Sequence, residues 1–176
     1  MICFINGGAR SGKSAYAQAA ALAISECPLY LATAVDMPED PEFAQRIARH
    51  RQDRDQRWSC IEEPLEFSAL DLDHRVVVID CVTLWLSNLL EKHLQDADQA
   101  LSDLQHQVDL LAERQGEFFI ISNEIGMGVH ASSALARKFT DLQGWANQYI
   151  AAKADRVIFM VSGIPLPVKG SPVQTS

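Results

Sequence analysis

The sequence is short of the features that mark several large protein classes. No apolar run approaches the roughly 20 residues of a membrane-crossing helix, so no membrane span is expected. The amino terminus, MICFING, lacks a basic stretch leading into a long apolar one, which argues against a secretory signal. None of the four cysteines (Cys3, Cys27, Cys60, Cys81) stands in a C-x-x-C pair, and no His–Cys cluster has zinc spacing. They are expected to be reduced thiols of a cytoplasmic protein, and the three in or beside apolar segments to be small buried hydrophobes. Positive charge is scarce: 15 Lys and Arg against 23 Asp and Glu leave -8, a surface that repels nucleic acid and anionic membranes. Internal repeats and a dividing linker are also absent. So is the N-K-x-D sequence with which regulatory GTPases usually read guanine.

What is present suits one globular domain. The chain has 176 residues, 48% hydrophobic and 22% charged, enough to bury about 70% of the surface that the unfolded chain exposes. Apolar runs alternate with helical patterns. Residues 2–6, 29–34, 75–80, 117–122 and 156–162 predict strands. RVVVID at 75–80 is apolar on both faces, as a central parallel strand must be. Residues 13–25, 42–54, 82–94, 98–114 and 132–153 predict helices. The fourth carries Leu101, Leu104, Val108 and Leu111 at spacings of three and four. The last is expected to turn Leu135, Phe139, Leu142, Tyr149 and Ile150 inward. Leu84–Trp85–Leu86 and Leu89–Leu90 are more apolar than one helix face needs, so either the core or a neighbouring subunit covers them. The order β-α-β-α-β-α-α-β-α-β predicts an α/β fold: a mostly parallel sheet with helices on both faces and its ligand at the carboxyl ends of the strands. The closing segment, rich in Pro, Gly and Ser, is expected to be an irregular tail over 166–176, beyond a domain spanning 1–165.

Between the first strand and first helix stand Gly7, Gly8, Ala9, Arg10, Ser11, Gly12, Lys13 and Ser14, a fit to G-x-x-x-x-G-K-[ST]. Each position has a chemical reason. The glycines let the backbone wrap a phosphate closely. The loop N–H groups point inward at the anion, and the helix that follows adds the partial positive charge of its amino end. Lys13 brings a full charge to the β- and γ-phosphates, and Ser14 a hydroxyl to Mg²⁺. The preceding strand and following helix are the context the motif requires, so this loop is expected to bind a nucleoside triphosphate. Asp80, closing VVVID, is the candidate carboxylate for the same Mg²⁺; capping of the next helix is the competing reading.

A second cluster is basic within an acidic chain: Arg46, Arg49, His50, Arg51 and Arg54. Arginines neutralise triphosphate oxygens. A neutral imidazole among them is a possible nucleophile toward phosphorus. A solvated helix face bearing a chance histidine explains the same residues.

Taken together, GGARSGKS, RIARHRQDR, VVVIDCVTLWLSNLL, SNEIGMG and VSGIP resemble the bifunctional adenosylcobinamide kinase / adenosylcobinamide-phosphate guanylyltransferase family of cobalamin biosynthesis, from Ile2 to about Pro165. The resemblance implies a P-loop NTPase fold of RecA-like kind, with a short antiparallel part in the sheet, and a homotrimer. It implies two reactions. ATP or GTP phosphorylates adenosylcobinamide; GTP then places its guanylyl group on a histidine, from which adenosylcobinamide phosphate takes it to form adenosylcobinamide-GDP. The family's guanylylated histidine falls on His50, with Lys13 as the other catalytic candidate. Its nucleotide contacts fall on Gly7 to Ser14, Ala34, Val35, Asp36, Arg51, Gln52, Asp53, Arg54, Glu62 and Asp80. Asn123 and Glu124 suit substrate or metal contact as well as turn formation or helix capping. Rival readings are a small-metabolite kinase without guanylyl transfer and a nucleotide-binding module without chemistry.

Overall fold

A run such as ICFING cannot be solvated on either face, and a chain with several such runs must stack them in one sheet and cover both sides. A computed structural model describes residues 1–35, 45, 54–67, 69–128 and 131–171. In chain order its elements are β1 (Ile2–Gly7), α1 (Lys13–Leu22), β2 (Leu29–Ala32), β3 (Ser59–Glu62), β4 (Arg75–Asp80), α2 (Val82–Lys92), α3 (Ala97–Glu113), β5 (Gly116–Asn123), α4 (Ala134–Lys153), β6 (Arg156–Val161) and β7 (Ile164–Lys169). The strands form a single seven-stranded sheet in the order β3-β2-β4-β5-β1-β6-β7. All pairs are parallel except β6 with β7. The predicted helix over 42–54 lies outside the described residues except at Gln45 and Arg54.

Strand periodicity of two splits the apolar side chains between two layers. Ile2, Phe4, Val77, Ile79, Phe118 and Ile120 pack beneath α2, α3 and α4. Cys3, Ile5, Val78, Phe119 and Ile121 pack against Tyr16, Ala17, Ala20 and Ala21 of α1. The small alanine face lets α1 lie close to the sheet, keeping its amino end near the tip of β1. Among the described residues two helices begin on side-chain caps: Asp96 accepts from the N–H groups of Asp98 and Gln99, and Ser133 from that of Ala136. Among the described residues no helix is long and apolar enough to cross a membrane.

The apolar α2 is explained by the chain's own core. Trp85, Leu86, Leu89 and Leu90 are buried in the larger layer, and Leu84 packs against the smaller. The Trp85 ring lies 4.5 Å from that of Phe67, and its Nε1–H donates to the Leu65 carbonyl at 3.0 Å. Truncating it to alanine would cost about 3–5 kcal/mol.

The structure departs from expectation at four points: the segment 164–169, β3, Leu135 and the cysteines, of which two rather than three are buried. Residues 164–169, expected to be the end of the domain and the start of an irregular tail, form an edge strand. Proline is tolerated there because one row of edge N–H groups has no partner to lose. Ser162 (φ 51°) and Gly163 (φ 84°) make the two-residue turn that joins β6 to β7, and this pair is the sheet's antiparallel part. The short β3, with mostly exposed side chains, was not predicted at all; pairing with β2 makes it a strand. Leu135 is exposed, because the buried face of α4 runs through Leu142, Gln143, Ala146, Asn147 and Ile150. Of the cysteines, Cys3 and Cys81 are buried, whereas Cys27 and Cys60 are exposed; all four are free thiols.

Candidate nucleotide-binding site

The loop Gly7–Ser14 emerges from the centre of the sheet. Gly7 is obligatory on steric grounds: a Cβ there would stand 2.6 Å from the Met160 carbonyl oxygen and 2.8 Å from Ser11 Oγ. Gly12 caps α1 in the left-handed region (φ 95°, ψ 8°), with no side-chain cap. With no capping side chain in the way, the amino end of α1 offers its partial positive charge to an anion from outside the helix. Ala9 and Arg10 are exposed at the rim. The β6–β7 turn braces the loop from below: the Gly163 N–H donates to the Ser11 carbonyl at 2.9 Å.

Lys13 is buried, and its Nζ donates to the carbonyls of Gly7 (3.0 Å) and Gly8 (2.7 Å). The ammonium thus sits inside the curl of the loop, where incoming phosphate oxygens can replace neutral carbonyls with charged acceptors. On the next residue, Ser14 Oγ donates to Asp80 Oδ2 at 2.9 Å. Asp80 ends β4, and β5 lies between β4 and β1. The capping reading of Asp80 fails, since the cap position of α2 is Cys81 and no side chain caps that helix.

A hydroxyl and a carboxylate converging beside a phosphate loop suit Mg²⁺, which takes one or two protein oxygens and completes its shell with phosphates and water. Ser14 and Asp80 would hold it. When bound, the ion would neutralise charge on the phosphate oxygens. Among the described residues no group of three or more His, Cys, Asp or Glu forms an all-protein metal cage.

Tyr30 on β2 was not anticipated from sequence. Its hydroxyl donates to the same Asp80 Oδ2 at 2.6 Å. Burial, reinforced by the adjacent Asp80 charge, pushes its pKa far above that of an ordinary tyrosine, so it remains a donor. The Arg54 guanidinium lies 3.9 Å from the Tyr30 ring centroid, and the Trp58 ring meets Tyr30 edge-on at 5.9 Å. Arg54 is thereby placed beside the Asp80 end of the site. Asp36, His50, Arg51, Gln52 and Asp53 lie outside the described residues.

Ala34 and Val35 leave the carboxyl end of β2, steered by Thr33. The Thr33 N–H donates to the Asp80 carbonyl, its Oγ1 exchanges hydrogen bonds with the Cys81 backbone at 2.8 Å, and its carbonyl accepts from Asn88 Nδ2. Glu62 is exposed at the carboxyl end of β3, in register with Ala32. Four strand spacings, about 19 Å, separate β3 from β1. Glu62 therefore does not share the phosphate pocket of Lys13.

Two further residues bind the loop to β5. The Glu124 N–H donates to the Gly7 carbonyl at 2.9 Å, and its carboxylate accepts from the Gly126 N–H and from Asn6 Nδ2. Asn6 Oδ1 in turn accepts from the Gly7 N–H at 2.8 Å. Asn123 Nδ2 donates to Thr83 Oγ1 and its carbonyl accepts from Asn147. Asn123 and Glu124 thus shape the turn, with the Glu124 side chain at the root of the phosphate loop. The sequence signal for this role was the Asn-Glu-x-Gly-x-Gly string itself. Asn6 carried none. A cleft of about 580 Å³ opens at the other end of the sheet, lined by Cys27, His74, Arg75 and Glu117 among others. It holds none of the motif residues, so concavity alone does not locate this site.

A family model described as cobinamide kinase / cobinamide phosphate guanyltransferase matches residues 3–168. The chain is similar to the bifunctional adenosylcobalamin biosynthesis protein CobP of Pseudomonas aeruginosa, 40% identical over 96% of this chain and 98% of the relative. It is also similar to the bifunctional adenosylcobalamin biosynthesis proteins CobU of Escherichia coli (35% identical, 96% of this chain, 100% of the relative) and of Salmonella typhimurium (32%, 96% and 100%).

Proposed function

The chain belongs to the cobinamide kinase / cobinamide phosphate guanyltransferase family, and we propose that it performs both of the family's reactions at the loop Gly7–Ser14. In the first, ATP or GTP gives its γ-phosphoryl group to the hydroxyl of the aminopropanol arm of adenosylcobinamide. In the second, a neutral ring nitrogen of His50 attacks the α-phosphorus of GTP. A P–N bond forms, the bond to the bridging oxygen breaks, and pyrophosphate leaves. A phosphate oxygen of adenosylcobinamide phosphate then attacks the same phosphorus, the P–N bond breaks, and adenosylcobinamide-GDP departs with His50 restored.

The observation that carries this reading is the convergence of Lys13, Ser14 and Asp80 on one phosphate loop. Lys13 and the loop N–H groups hold and neutralise the phosphate chain. Arg51 and Arg54, close to His50 in sequence, screen the α-phosphate from the incoming nucleophile. Ala34, Val35, Asp36, Gln52, Asp53 and Glu62 complete the nucleotide contacts. Mg²⁺ accompanies the nucleotide, and the protein works in the cytoplasm as a homotrimer.

GTP labelled at either the α- or the γ-phosphate tests the proposal. We expect covalent α-label on the protein, acid-labile and alkali-stable, and none in His50→Ala, which retains the kinase step. Undiminished α-label in His50→Ala would remove the nucleophile assignment. Phosphorylation of adenosylcobinamide without any α-label would leave a kinase alone, and tight binding without transfer would leave a nucleotide-binding module.

A further inference from the structure

Asp80 Oδ2 accepts two hydroxyl donors, from α1 and from β2. Ser14 is expected to turn to the metal ion when a nucleotide binds, whereas Tyr30 is buried, with only 3% of its surface exposed, and its hydroxyl is directed at Asp80. The Tyr30 ring is clamped between the edge contact with Trp58 and the guanidinium of Arg54. One rigid side chain therefore touches both the carboxylate of the proposed ion site and the arginine that ends the histidine-bearing segment.

We propose that Tyr30 is a positioning residue that holds the Asp80 carboxylate ready for the Mg²⁺–nucleotide complex and seats Arg54 beside it. The inference rests on the assignment of Asp80 to the ion. A carboxylate already held in one rotamer loses little freedom when a cation arrives. The neutral phenol leaves the negative charge of Asp80 intact, where a cationic donor would cancel it and compete with the ion. The ring face supplies the seat for the planar guanidinium. A merely structural role, satisfying a buried hydroxyl, would predict no change in ion dependence.

Calorimetric titration with GTP over a series of Mg²⁺ concentrations separates the two. Tyr30→Phe keeps the ring and removes the hydroxyl. The Mg²⁺ concentration needed for half-maximal GTP affinity should rise about tenfold, the effect of one charge-assisted hydrogen bond, while affinity in EDTA stays near wild type. A Mg²⁺ curve that coincides with wild type, or shifts toward tighter binding, overturns the proposal. Asp80→Asn is the reference. If it too leaves the curve unchanged, the ion assignment itself is wrong and the role of Tyr30 falls with it; if only Tyr30→Phe does, the ion assignment stands. A double-mutant cycle reads the ring. Arg54→Gln should weaken GTP binding equally in wild-type and Tyr30→Phe backgrounds, and several-fold less in Tyr30→Leu. Equal losses in all three backgrounds would overturn the seating of Arg54.

Discussion

Ser14 Oγ stands 2.9 Å from Asp80 Oδ2, although 66 residues separate them in the chain. The contact crosses β5: the phosphate loop leaves β1, and the amino end of α1 reaches over the intervening strand to the tip of β4. A hydroxyl beside the phosphate loop and a carboxylate from another strand become one candidate ion site.

Replacing Asp80 by asparagine should therefore leave the fold intact, since the amide oxygen still accepts from Ser14 and Tyr30. It should weaken Mg²⁺-dependent GTP binding about tenfold or more, with little effect in EDTA. Calorimetry with and without the ion checks this. Equal losses in both conditions would place Asp80 outside the ion site.

Lys13→Ala removes the cation that the loop encloses. Triphosphate affinity should fall about 100-fold, the upper range for a hydrogen bond between charged groups, and phosphorylation and guanylylation should fall together. Rates measured separately with γ- and α-labelled GTP decide the matter. Guanylylation at its normal rate would mean that the two reactions use separate loops.

The loop glycines should not be equivalent. Gly7→Ala drives a methyl group to within 2.6 Å of the Met160 carbonyl, whereas at Gly8 nothing lies within 4 Å of an added Cβ. Chemical denaturation of the nucleotide-free protein should show a loss of about 1–3 kcal/mol for the first and less than about 0.5 kcal/mol for the second.

Thiol reactivity follows burial. At about pH 8 a disulfide reagent should modify Cys27 and Cys60 quickly, and Cys3 and Cys81 only on unfolding. Burial pushes the Cys3 thiol up to about 11, against about 8.5 in the unfolded chain. The folded state therefore holds this proton more tightly. The stabilisation is complete below the unfolded value and is lost as pH rises through the folded one. Mass spectrometry after timed labelling, repeated at rising pH, tests both statements. Rapid native labelling of Cys3 near pH 8 would contradict its burial.

Much of the fold was legible because its determinants are local. β1, β4, β5 and β6 are apolar runs that any packed sheet would bury, and α3 shows its periodicity directly. Other elements were not legible because a partner creates them. The four residues of β3 have no strong strand pattern and become a strand by pairing with β2. β7 contains two prolines, and only its edge position makes them acceptable. Leu135 has the right spacing for the buried face of α4, but it lies in the first turn and stays exposed.

The sequence by itself determined the candidate phosphate loop, because eight consecutive residues carry the glycines, the ammonium, the hydroxyl and the helix start that such a loop combines. It also named Asp80, since a carboxylate ending an apolar strand is a local pattern. Only the tertiary structure decided that Tyr30 holds this carboxylate and that Asn6 and Glu124 tie down the loop. Those bonds join residues 50 and 118 positions apart. Their directions follow from strand order and register, which no local pattern of side chains encodes.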